Sequence, residues 1–301
     1  MNPPFELPPR DSAGHKGNYG RVLLIGGSRG MAGSIALSSI AALHTGSGLV
    51  TAVVPDSILE TVAGFHPAVM TLPSDDASGQ FGIAASQSLA TRVRSADAIG
   101  CGPGMRTGVG AIRIVDCLLH QRQRLVLDAD ALNIIAMQDW IPAIEANRSA
   151  ADMVWTPHAG ELARLTGVPA DQPDAQVRAT EELCHRTQAV VVIKGGPTQV
   201  IGLDSSGEIQ RWTNSTGNPG MATAGCGDVL TGVITSLLGQ GLSAWDAARL
   251  GVWLHGHAGD RAVAATSTHG MTASHLVEML ASCGDAITRC DQATCSHQTS
   301  A

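Results

Sequence analysis

Short aliphatic runs recur along this chain, and most of them stop at glycine or aspartate and are joined to helical patterns. "RVLLIGG" (21–27) reads as a buried strand, and "MAGSIALSSIAALHTGSG" follows it. In that segment Ile35, Ala36, Ile40, Ala41 and Leu43 have helical spacing, and glycine ends it. "LVTAVVP" (49–55) is the next strand. The alternation returns in "ADAIGCGPG" (96–104) with the helix "IRIVDCLLH". It returns again in "RLVLDADALN" (124–133), read as a strand ending in two aspartates, and in "DMVWTPHAGELARLTG" (152–167). "EELCHRTQAVVVIKGGPTQVI" (181–201) gives helix, strand and a Lys-Gly-Gly turn, and "TQVIGLDSSGEIQRWT" (198–213) reads as a hairpin. Two last helical patterns follow, "AWDAARLGVWLHGHAGDRAV" and "TASHLVEMLAS". Strands alternating with helices imply an α/β fold of three layers, a mostly parallel sheet covered on both faces. The hairpin adds an antiparallel edge.

No linker or repeat divides the chain, so a single domain is expected over residues 1–284. The first twenty residues are expected as an extended arm, and 285–301, polar and aperiodic, as a disordered tail. Hydrophobic residues make up 44% and aromatic residues 3%, with 35 glycines, which fits a parallel α/β core of small aliphatic side chains. The net charge of -7 argues against nucleic-acid or anionic-membrane partners. Seven cysteines, Cys101, Cys117, Cys184, Cys226, Cys283, Cys290 and Cys295, show no CxxC pair and read as reduced thiols without a zinc site. Neither a signal peptide nor a membrane-spanning run is visible, so a cytoplasmic location is expected.

In such folds the loops at strand C-termini carry the chemistry. The richest candidate is "NSTGNPGMATAGCGDVLTGVITSLLGQG" (214–241). Val229, Leu230, Val233, Ile234, Leu237 and Leu238 form one helical stripe, which Gly239 and Gly241 end. Ala224–Gly227 would expose free backbone N–H groups at the helix start, a site for phosphate. Asp228 beside it is either a helix N-cap or a general base that deprotonates a hydroxyl aimed at that phosphate. Lys194, at the strand end in "VVVIKGGPT", is placed to reach a phosphate or is a surface lysine before a turn. Asp128 and Asp130 read as caps or as groups that orient a metal-nucleotide. His158 sits in a turn. His255 and His257 lack the spacing of a helical zinc pair and read as core or surface residues. "GGSRGMAGS" (26–34) is neither a dinucleotide fingerprint nor a Walker A sequence.

Together and in order, "KGNYGRVLLIGGSRGMAGS", "GCGPGM", "LDADALN", "TPHAGELARL", "VIKGGPT" and "GNPGMATAGCGDVLTGVI" resemble the ADP- or ATP-dependent NAD(P)H-hydrate dehydratases, a branch of the ribokinase-like fold. The resemblance runs from about residue 14 to about residue 281. It implies a repair reaction: phosphorylation of the hydroxyl of the S form of NADH or NADPH hydrate, then loss of phosphate to restore the double bond. It implies that Asp228 contacts the hydrate and acts as base, and that Ser34, Gly104 and His158 line the hydrate site. Lys194, Gly195, Gly196, Pro197, Thr198, Gly225 and Gly227 would hold the ADP or ATP co-substrate. Mg²⁺ would arrive with the nucleotide, bound largely through phosphates and water, with no protein ligand assigned. A homotetramer is implied, as is a stand-alone dehydratase with any epimerase on a separate chain. Two positions depart from the family pattern: Ser34 stands where alanine is usual, and Cys226 where threonine is usual. The competing reading is a small-molecule kinase of the same fold, acting on a hydroxyethylthiazole- or sugar-type alcohol. A nucleotide-binding sensor would have no need of Asp228.

Overall fold

Four consecutive aliphatic residues, Val22, Leu23, Leu24 and Ile25, are buried at 4% exposure or less. A strand with both faces buried must lie in the middle of a sheet that is covered on both sides. That strand is β1 (Arg21–Ile25), and the computed structural model, which describes residues 2–147 and 152–288, places it between two parallel neighbours. The others are β2 (Leu49–Pro55), β3 (Met70–Ser74), β4 (Ala98–Cys101), β5 (Arg124–Leu127), β6 (Met153–Trp155), β7 (Val190–Ile193), β8 (Gln199–Leu203) and β9 (Ile209–Thr213). The sheet order is β3-β2-β1-β4-β5-β6-β7-β8-β9. Strands β1 to β7 pair in parallel, while β8 and β9 form the antiparallel edge expected from the hairpin.

The helices are α1 (Ala32–His44), α2 (Leu59–Ala63), α3 (Ala85–Ser95), α4 (Val109–Leu119), α5 (Asp130–Met137), α6 (Ile141–Ala146), α7 (Ala159–Thr166), α8 (Pro173–Thr187), α9 (Cys226–Gly239), α10 (Ala244–Ala265) and α11 (Ala273–Leu280). Successive strand side chains point to opposite faces, so each strand feeds two cores. Val22 and Leu24 join α1, α9, α10 and α11 on one face. Leu23 and Ile25 join α4, α5 and α8 on the other. The fold is therefore the three-layer α/β arrangement expected from the sequence.

Helix α9 is the most deeply embedded. All its residues from Val229 to Gly239 are buried. It packs closely on α1: a Cβ on Gly232 would stand 2.0 Å from the Ser38 carbonyl oxygen. Any side chain there would push the two helices apart.

Three local expectations change. "LDADALN" is not strand throughout: β5 ends at Leu127 and α5 begins at Asp130. The turn between them puts Ala129 at φ 49°, a left-handed conformation that a strand reading does not anticipate. The N-terminal arm is not extended throughout: Lys16–Tyr19 form a 3-10 turn, and the arm is stitched down, with Leu7 N–H donating to the Ile287 carbonyl at 2.7 Å. Residues 284–287 form a 3-10 turn with Ile287 buried, so ordered structure continues into the segment expected as a tail. Residues 289–301, with Cys290 and Cys295, lie outside the described residues.

Candidate active site

Strand order reverses direction of growth between β1 and β4, and loops diverge there to leave a crevice at the strand C-termini. The β1 loop and the β4 loop meet across it. Gly27 N–H donates to the Pro103 carbonyl at 2.7 Å, and the buried Ser28 hydroxyl donates to the Gly104 carbonyl at 2.8 Å. Gly104 faces Ser34 so closely that a Cβ on it would stand 3.0 Å from the Ser34 Cβ. Two of the residues expected to line a hydrate site are thus neighbours.

Helix α9 enters the same crevice. Its N-cap is Gly225, in the left-handed region at φ 92°, not Asp228. The space around Gly225 is filled by Leu37 and Ala273, so it turns the chain and is not among the residues that line the adjoining cleft. Asp228 is three residues inside the helix, and Ser38 Oγ donates to its carbonyl at 2.8 Å. The Ser34 hydroxyl also bonds the Asp228 side chain. Serine at 34 therefore holds the carboxylate, a contact that alanine could not make.

Asp228 is held well above the ordinary aspartate range, at about 6. Burial is the main cause and the nearby Asp128 charge the second, with Asp130 adding to them. The Ser34 hydrogen bond and Lys194 act in the opposite sense and do not outweigh them.

Beneath this helix start lies a buried charge network that the sequence reading had left open. Asp128 is 1% exposed. Its Oδ1 accepts from Lys194 Nζ at 2.6 Å and its Oδ2 from Thr231 Oγ1 at 2.7 Å. Lys194 also faces Glu161 Oε2 at 3.7 Å. Burial alone would lower the lysine pKa, but Asp128, Glu161 and Asp228 together leave it raised. Lys194 is thus no loose surface lysine. A Cβ on Gly227 would stand 3.4 Å from its Nζ, so the ammonium lies directly under the helix N-terminus.

His158 caps α7. Its Nδ1 accepts from the N–H groups of Gly160 at 2.9 Å and Glu161 at 3.3 Å, and the His158 N–H donates to Glu161 Oε2 at 2.8 Å. Half of its side chain remains open to solvent. His158 also bridges Lys194 through the backbone, with Lys194 N–H donating to the Pro157 carbonyl at 2.9 Å, which brings "TPHAGE" and "VIKGG" side by side.

On the other side of Gly227 a cleft of about 650 Å³ opens. Lys194, Gly195, Gly196, Pro197, Thr198 and Gly227, expected from the resemblance to hold a nucleotide, line it. Its far wall is the 214–219 segment, tied to α10: Asn214 Nδ2 donates to the Val252 carbonyl, Thr216 Oγ1 to the Trp253 carbonyl, and Gly217 N–H to Asp260 Oδ2. His255 was missed. It lines the cleft, and its Nε2 donates to the Cys226 carbonyl at 2.8 Å. Burial pushes its pKa down to about 4, so it is a neutral strut that aims the Cys226 peptide. Only the three-dimensional return of α10 to the α9 start reveals this. Cys226 itself is buried, and burial raises its thiol to about 11, which makes it an unreactive packing residue.

The site is two-sided. Gly227 faces a roomy cleft, Asp228 faces Ser34 and the Gly104 loop, and Lys194 lies below both. The fold around it is that of a ribokinase-like superfamily protein from Enterococcus faecalis, which superposes with a TM-score of 0.79 at 27% identity over 94% of this chain and 93% of that one. The chain belongs to the NAD(P)H-hydrate dehydratase family, whose model matches residues 22–282. It is similar to the ADP-dependent (S)-NAD(P)H-hydrate dehydratase of Neisseria meningitidis, at 36% identity over 85% of this chain and 82% of that one. It is also similar to the ADP/ATP-dependent NAD(P)H-hydrate dehydratase of Bacillus subtilis co-crystallized with ATP/Mg²⁺, with a TM-score of 0.77, 27% identity, and coverage of 93% and 97%. The chain spans about half the length of other curated relatives, such as the bifunctional NAD(P)H-hydrate repair enzyme of Moorella thermoacetica, 40% identical over 91% of this chain and 51% of that one.

Proposed function

We propose that this chain uses ADP or ATP to dehydrate the S form of NADH or NADPH hydrate, releasing phosphate and restoring the reduced nicotinamide. The observation that carries the reading is a carboxylate near pKa 6 in the first turn of a helix whose N-terminus borders an open cleft. In this reading the nucleotide occupies the cleft, with its terminal phosphate against the α9 N–H groups at Gly227 and the Lys194 ammonium. The hydrate lies on the Ser34 and Gly104 side, with His158 at the rim. Its hydroxyl lies between Asp228 and the phosphorus. Asp228 takes the hydroxyl proton as the oxygen attacks, and the nucleotide leaves one phosphate shorter. The phosphate ester is a far better leaving group than hydroxide, so the carbon–oxygen bond breaks and a neighbouring C–H proton is lost to form the double bond. A carboxylate raised toward neutrality is a stronger base than an ordinary aspartate and is still ionised at cellular pH.

Among the described residues no group of three or more histidine, cysteine, aspartate or glutamate side chains is arranged to hold a metal ion. Both Asp128 oxygens are engaged by Lys194 and Thr231. This donor set fits a Mg²⁺ carried in on the nucleotide phosphates and water, where it would neutralise phosphate charge. The family resemblance supports a homotetramer, a cytoplasmic location and a shared metabolite with an epimerase. Among the described residues no helix is long and apolar enough to cross a membrane.

The test mixes purified protein with NADH hydrate, Mg²⁺ and either ADP or ATP and follows NADH absorbance, with Asp228→Asn alongside. Nucleotide-dependent recovery that the variant loses supports the reading and names the donor. No recovery with either nucleotide overturns it and points to the small-alcohol kinase.

A further inference from the structure

The buried network under α9 contains a carboxylate that the proposed reaction leaves without a role. Asp128 does not itself line the cleft and reaches it only through Lys194, yet it is almost wholly buried and both its oxygens are bound. Its Oδ2 would stand 4.0 Å from a Cβ on Gly227. Thr231, which holds that oxygen, lies one helical turn below Gly227, and its Oγ1 also approaches the Gly227 carbonyl at 3.3 Å. A buried hydroxyl facing a carboxylate in the middle of a helix is an uncommon use of threonine, because its β-branch costs helix propensity. Alone, a salt bridge to Lys194 would not need it.

We propose that Asp128 is a positioning residue: clamped by the Thr231 hydroxyl, it fixes the Lys194 ammonium under the α9 N-terminus and sets a second carboxylate opposite Asp228. The inference rests on the dehydratase reading for its kinetic consequence but not for its electrostatic one. The groups that face Asp228 are Ser34 from α1, Asp128 and Asp130 from the β5–α5 turn, and Lys194 from the end of β7. Glu161 and His158 reach it only through Lys194, and His255 is tied to the Cys226 carbonyl. Asp128 is the foremost like charge in this set, so its removal must change how Asp228 titrates.

The test is a double-mutant thermal cycle on the full chain. Melting temperatures of the parent, Asp228→Asn, Asp128→Asn and the double variant are taken near pH 8. We expect the gain produced by Asp228→Asn to shrink measurably when Asp128 is already neutral. An undiminished gain overturns the proposal. A kinetic arm compares Thr231→Val with Thr231→Ser: the valine variant loses about ten- to hundredfold in kcat, with the nucleotide KM within about twofold, and serine restores it. A valine variant as active as the parent also overturns the proposal, and it decides the matter if Asp128→Asn fails to fold. If the parent chain is inactive on the hydrate, the dehydratase reading falls, while the thermal cycle still judges the placement of Asp128.

Discussion

Replacing Asp228 with asparagine should abolish activity and yet make the protein more stable, by an amount that depends on pH. The folded-state pKa is about 6 against 3.8 for the free side chain. A folded pKa raised above the unfolded one contributes stability that is fully present below the unfolded value and is lost as pH rises through the folded value. Each pKa unit is worth about 1.4 kcal/mol, so near pH 8 the ionised Asp228 costs about 3 kcal/mol relative to a neutral group of the same shape. Near pH 4.5 the same linkage leaves a cost of only about 1 kcal/mol. Asparagine keeps the shape and one hydrogen-bonding oxygen for Ser34, and cannot ionise. For a domain of this length, about 3 kcal/mol corresponds to a rise of about 5 °C in Tm, and about 1 kcal/mol to about 2 °C. Scanning fluorimetry or calorimetry at the two pH values, on parent and variant, measures this directly. A variant no more stable than the parent near pH 8 would refute the reasoning. So would an equal gain at both pH values, since that would mean packing rather than charge had changed.

Other consequences follow from the same geometry. The acid limb of kcat/KM should fall through about pH 6, because Asp228 must be ionised to act as base; a rate–pH profile with its break near pH 4 would contradict this. Gly227→Ala should fold normally, since the added Cβ meets Lys194 Nζ at an ordinary 3.4 Å, but should weaken nucleotide binding by at least tenfold in calorimetry by occupying the place of a phosphate oxygen. Gly232→Ala should lose about 2–4 kcal/mol in urea unfolding, because its Cβ would stand 2.0 Å from the Ser38 carbonyl oxygen.

The architecture was legible because it rests on periodicity. Doubly buried strands such as β1 are unbroken aliphatic runs, and α9 carries an uninterrupted apolar stripe. What escaped notice has weak or broken patterning. Strand β3 is the edge sequence Met-Thr-Leu-Pro-Ser, with a proline and a half-open burial pattern, and α3 is mostly polar. Within the site, the loops rich in glycine were visible, as were Asp228 and Lys194, while Ser34 entered only through the family resemblance. Thr231 and His255 were not, because each acts through a partner far away in sequence: Asp128 is 103 residues from Thr231, and Cys226 is 29 residues from His255. Asp128 was seen but left between capping and metal orientation, since only the fold shows both of its oxygens already bound.

A carboxylate at a helix N-terminus should have a lowered pKa, and the direction found for Asp228 decides which effect dominates this site. The positive end of a helix favours a nearby negative charge by about 0.3–1 kcal/mol at exposed positions and up to about 2 kcal/mol when partly buried. Lys194 and the Ser34 hydroxyl push the same way. Against them stand desolvation in the crevice and the fixed charge of Asp128, and the net result is a rise to about 6. The opposing terms must therefore exceed the dipole, the ammonium and the hydrogen bond combined. Nothing in folding alone requires that, since asparagine at 228 would satisfy Ser34 at lower cost. In the proposed reaction that charge has a use, which is to accept a proton beside an incoming phosphate. A ligand that brings a phosphate to the α9 N–H groups would raise the Asp228 pKa further, so nucleotide binding near pH 7 should take up protons. Calorimetry in buffers of different ionisation enthalpy reads that uptake, and Asp228→Asn should abolish it. Uptake that persists in the variant would assign the proton to another group and leave Asp228 without its role as base.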